Sequence, residues 1–93
     1  MDKVEATELL TAFVEDLQRK PYDELVRLIR DPVCMEVKGP SGTPYQIEYE
    51  SFWDSEPNRL LRIMASIDNG GLISAMFPIT LSFLVDSDAK LQD

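Results

Sequence analysis

At Asp31-Pro32 the spacing of apolar residues along this chain changes from helical to alternating, and it does not change back. Before that point apolar side chains recur with the period of an amphipathic helix, and after it they fall at every second position, the period of a strand. Parallel strands need long crossovers, usually helical, and no helical pattern separates these strands. The sheet must therefore be built from antiparallel hairpins. With 93 residues the chain has room for one core. The pattern predicts a single α+β domain over 1–93, an N-terminal helical pair packed on one face of a four- to five-stranded antiparallel meander.

Val4, Ala6, Leu10, Phe13, Val14 and Leu17 place a helix over about 3–19. Asp2 followed by Glu5 has the spacing of a capping box, and Arg19 and Lys20 suit the negative end of the helix dipole. Pro21 fits the first position of a second helix, where its missing N–H is not needed. Tyr22, Leu25, Val26 and Ile29 carry the stripe to about residue 30, giving a bent pair or an αα-hairpin.

Val33, Met35 and Val37 then alternate with Cys34, Glu36 and Lys38 over 33–38, up to the turn Gly39-Pro40-Ser41-Gly42. A second strand covers 45–53 and a third 60–67, with Leu61, Ile63, Ala65 and Ile67 on the core side. In Asp68-Asn69-Gly70-Gly71, Asn-Gly can take the positive φ angles that a two-residue type I′ turn requires. This predicts a fourth strand over 72–77, with Ile67 opposite Leu72, Ile63 opposite Met76, Met64 facing Ala75 and Arg62 facing Phe77. Pro78 follows, and 79–85 reads either as a short fifth strand or as an irregular segment at an edge. Residues 86–93 read as a polar, frayed tail.

If the helices cover one face of the sheet, the other should be polar where it meets water. Here it is polar only in part. Glu36, Glu48, Glu50 and Arg62 form a charged group, with Glu50 opposite Arg62 if the face pattern sets the register. Phe52, Leu60, Met64, Ile73 and Phe77 fall on the same outer side as an apolar patch, and such patches mark association sites. Trp53 is expected to close the end of the core. Residues 79–93 folding over the patch, or a bulge that reverses a strand's faces, would remove it.

Net charge is −8, from 17 acidic and 9 scattered basic residues, so neither nucleic acid nor an anionic membrane is an expected partner. Histidine is absent, which excludes His-activated nucleophiles and His-ligated zinc. The single cysteine, Cys34, can form no internal disulfide, and as a nucleophile it lacks an evident cationic neighbour. Neither glycine group has the spacing of a phosphate-binding loop. No cofactor, no metal and no catalytic residue is assigned. The N-terminus lacks the basic and apolar regions of a secretory signal, so the expected location is cytoplasmic.

The expected function is that of a small acidic protein-interaction module, with a homodimer through its sheet face favoured over a different protein partner. Two alternatives stand beside it. One is a carboxylate-based metal or enzymatic site formed by Glu36, Glu48, Glu50 and Arg62, and the other is an inhibitor or immunity-type protein that blocks a basic partner.

Overall fold

The computed structural model of the chain describes residues 2–55, 60–71, 78–87 and 91–92. Helices α1 (Lys3–Gln18) and α2 (Tyr22–Arg27) precede strands β1 (Val33–Lys38), β2 (Pro44–Ser55), β3 (Leu60–Asp68) and β4 (Ile79–Val85). The strands follow one another as an antiparallel meander, and Leu91–Gln92 (β5) adds a two-residue pairing beside Leu84 and Val85. The α+β architecture is thus the one the change of period dictates.

Helix α1 lies against β3 and β4, while α2 lies against β2. The buried stripe Ala6, Leu10 and Leu17 meets Leu61, Ile63, Ala65, Ile67, Phe83 and Val85, and Leu25 and Leu28 join Tyr45 and Ile47 in the same core. A Leu or Ile side chain buried in this way contributes about 1.5–3 kcal/mol relative to its exposed state. Val4, counted in the helical stripe from spacing alone, is 69% exposed. Two residues from the fully buried Ala6, it stands about 200° around the helix from the core side.

At the start of α1 the Asp2 carboxylate accepts the Glu5 amide at 3.1 Å, as a capping box requires. The reciprocal half is replaced, because the Glu5 side chain turns instead to the β1–β2 loop. Pro21 is the cap of α2 rather than its first residue, with φ −63° and ψ 152°. That helix ends at Arg27, earlier than the apolar stripe implied.

The largest difference from expectation lies after β3. Ile67 pairs with Ile79, Ile63 with Phe83, Met64 with Ser82 and Arg62 with Leu84, so 79–85 occupies the place expected of 72–77. The physical reason is visible in the turn. Asp68 Oδ1 accepts the Gly70 amide at 2.7 Å and Asn69 Oδ1 accepts the Gly71 amide at 3.0 Å. An immediate two-residue hairpin would commit the Gly71 amide to the Asp68 carbonyl; here the Asn69 side chain takes it, and the Asp68 side chain holds the Gly70 amide beside it. Gly70 supplies the positive φ, 81°. Residues 72–77 lie outside the described residues.

The β2–β3 register also differs. Glu50 pairs with Met64, and Arg62 pairs with Phe52. A bulge between Trp53 and Ser55 inserts Asp54 into the ladder, shifting the register near the turn. At the C-terminal end, Leu91 and Gln92 pair with Val85 and Leu84 where a frayed tail was expected. Among the described residues, no helix is long and apolar enough to cross a membrane.

Candidate functional site

Both helices pack on one face of the sheet, so the other face is built only from the alternate residues of its strands. Two cross-strand rows define it. Cys34, Glu48, Ser66 and Thr80 stand side by side from β1 to β4, and Glu50, Met64 and Ser82 form the next row. Phe52, Arg62 and Leu84 form a third row toward the far end. Pro32 and Pro78 flank the first row, and with Met64 they shape a shallow trough of about 380 Å³.

Among the residues expected to form an apolar patch, Phe52 is 39% exposed, and Leu60 and Met64 are half-buried. Ile73 and Phe77 lie outside the described residues. Leu84 joins Phe52, Leu60 and Met64: the alternation in 79–85 does not decide between a strand and an edge segment, and its position beside Arg62 adds a half-buried apolar side chain to this face. Trp53, expected to close the core, is 36% exposed at the bulge.

The charged group is dispersed. Arg62 donates from Nε to Asp54 Oδ1 at 2.8 Å and from Nη1 to Ser82 Oγ at 3.2 Å, turning away from Glu50. Asp54 is the partner that spacing missed, since the strand was expected to end at residue 53, whereas β2 runs on to Ser55 and keeps Asp54 in phase with Glu50 and Phe52. Glu36 stands opposite Gln46, and Glu48 opposite both Cys34 and Ser66. Cys34 is exposed, and its Sγ lies 3.8 Å from Glu48 Oε1, so the thiol's neighbour is a carboxylate, opposite to the cationic setting that activates thiolates. Among the described residues, no group of three or more Cys, Asp or Glu side chains is gathered as metal ligands. No described ion pair engages Glu48 or Glu50; those present join Arg19 to Asp16, Lys20 to Glu24 and Arg62 to Asp54.

A second polar cluster lies at the edge of the helix-covered side. Glu5 accepts the Tyr45 hydroxyl at 2.7 Å, the Ser41 hydroxyl at 2.8 Å and the Ser41 amide at 2.9 Å. These donors, Tyr45 first, hold the Glu5 carboxyl below the usual carboxylate range. Reciprocally, the hydrogen bond to Glu5, followed by burial and the nearby negative charge, pushes the Tyr45 hydroxyl up to about 12. Gly39 leaves the space for this contact: a Cβ there would lie 2.7 Å from the Glu5 carboxyl carbon and 3.0 Å from the Tyr45 ring. With all its donors drawn from the same chain, the cluster ties the start of α1 to the β1–β2 loop. Local spacing assigned Glu5 to the helix cap, and only the tertiary fold reveals this role.

Comparison with protein-family models, characterised proteins and solved structures finds no match. Function must be argued from the two faces of the sheet.

Proposed function

We propose that the chain is a small protein-interaction module whose working surface is the helix-free face of its sheet. The supporting observation is the asymmetry of the sheet. The helices cover one face, and on the other Phe52 is exposed and Met64 and Leu84 half-buried, with no described element across them. Apolar side chains in a mixed polar surround are the composition of a protein interface.

The occupant proposed is a different protein that presents basic groups. Glu36, Glu48 and Glu50 stand exposed on this face of a chain with net charge −8, and a second copy would bring the same negative surplus. Like charges brought together disfavour association, whereas a complementary surface accelerates it. The inhibitor or immunity-type reading is one form of this proposal. A homodimer is the second reading, favoured by Phe52, Met64 and Leu84, because symmetric dimers are the commonest assemblies.

The test compares the native mass of the tagged chain in extracts of its source cells with that of a Phe52→Lys/Met64→Lys variant. Wild type should run in a complex well above 10.6 kDa and the variant as a monomer. Equal masses for the two would refute the proposal. Purified wild type at twice the monomer mass would favour the homodimer.

A further inference from the structure

The trough across the helix-free face has a more specific chemistry than an apolar patch. Its floor is the row Cys34, Glu48, Ser66 and Thr80, which crosses four strands. At a strand spacing of about 4.8 Å that row is about 14 Å long, the length of about four residues of extended chain. Prolines mark the two ends, Pro32 before β1 and Pro78 before β4, and the Met64 side chain forms part of the wall. The Glu48 and Glu50 carboxylates line it from one strand, two positions apart and so on one face.

We propose that this trough binds an extended segment of a protein partner through one lysine or arginine side chain. The aliphatic stem lies along Met64, and the cationic head sits between Glu48 and Glu50. Long basic side chains favour this division, with an apolar stem on an apolar surface and the charge left in contact with water or carboxylate. Charge-assisted hydrogen bonds to two carboxylates then fix the head, and the Ser66 and Thr80 hydroxyls border the path of the segment's backbone. Among the described residues no ion pair joins a cation of the chain to either glutamate, and Arg62, on the same face, is held by Asp54 and Ser82. A small organic acid would be repelled by the same carboxylates. An arginine or lysine on an extended segment matches both the length and the sign of the site.

This inference rests on the interaction reading but fails separately from it. The experiment records amide shifts of the whole chain during titration with a blocked alanine pentapeptide carrying one central lysine, and with the same peptide carrying glutamate. The lysine peptide should shift the amides of Cys34, Glu48, Glu50, Met64, Ser66 and Thr80, and the glutamate peptide should not. Glu48→Gln/Glu50→Gln should weaken the lysine peptide by about tenfold, the loss of two exposed pairs, while the control Glu8→Gln/Glu15→Gln on α1 leaves it unchanged. Raising salt should weaken wild type far more than the Glu48→Gln/Glu50→Gln variant. Shifts spread over the helices, equal weakening in the control, or no binding would overturn the trough. In each of these cases the Phe52→Lys/Met64→Lys comparison still decides whether the face is an interface at all.

Discussion

Ile63 and Met64 are neighbours on β3, yet they belong to two different surfaces. Ile63 is fully buried beneath the helices, whereas Met64 stands half-buried on the other side between Glu50 and Ser82. One face of the sheet has satisfied its apolar groups within the chain, and the other has kept apolar side chains beside Glu48 and Glu50, which no described ion pair engages. Stability should therefore reside on the first face and association on the second.

The sharpest way to break this comparison is to truncate both residues. Ile63→Ala should cost about 2–5 kcal/mol, because the core cannot fully collapse around the lost volume. Met64→Ala should cost about 0.5 kcal/mol, as for a surface position. Urea unfolding of the two variants measures this difference, and equal losses would mean that both faces are core.

The next effect tests how far the covered side extends. Gly39→Ala places a methyl group against the Glu5 carboxyl and the Tyr45 ring, and should cost about 1–3 kcal/mol through forced displacement. Thermal unfolding with and without Glu5→Ala measures the coupling; if the clamp is the cause, the Gly39→Ala penalty shrinks when the carboxylate is gone.

A smaller effect, of opposite sign, is expected within the core. Ser51 Oγ is buried without a hydrogen-bond partner among the described residues. Ser51→Ala should stabilise the fold by about 1 kcal/mol by removing a desolvated hydroxyl. A loss of stability on denaturant unfolding would show that the hydroxyl is satisfied in solution.

The last effect appears in the shape of the pH profile. The Glu5 carboxyl sits below its ordinary value of 4.5, so its contribution is present above that pH and is lost as pH falls through the lowered folded value. The Tyr45 hydroxyl is raised from 10.0 to about 12, so its contribution is complete below pH 10 and disappears as pH rises toward about 12. In Tm measured across pH, Glu5→Gln should flatten both limbs relative to wild type. Unchanged limbs would mean that the cluster contributes no differential protonation.

Much of the architecture was legible in the residues themselves. Alternation in β3 and β4 marks which side chains face the helices, because a strand cannot bury both sets on one side. What alternation does not encode is pairing over a distance. Asn69-Gly70 carries a strong local hairpin signal, but the Asp68 and Asn69 side chains take the amides of the turn, and Ile79 becomes the partner of Ile67. The Glu50–Arg62 pair fails for a similar reason, since alternation fixes the face but not the register: Arg62 stands opposite Phe52 and reaches Asp54, where β2 runs past its expected end. Glu5 shows the same limit in a helix: its spacing from Asp2 is that of a cap, while its donors come from Ser41 and Tyr45 far along the chain. On the outer face, Phe52, Met64, Glu48 and Glu50 were all identifiable by phase. The trough they help to form was not, because it depends on bringing Pro32, Thr80 and Pro78 alongside them.

If the helix-free face is the surface contacted by another protein, a probe placed there should capture that partner and a probe on the helices should not. The most direct measurement places a photo-crosslinking side chain at Ser82 on that face or at Glu8 on the exposed surface of α1, with crosslinked peptides identified by mass spectrometry after irradiation in source cells. The expected result is a recurrent adduct from position 82 to a peptide bearing lysine or arginine, and none from position 8. Identical adducts from the two positions, or none from position 82, would contradict it.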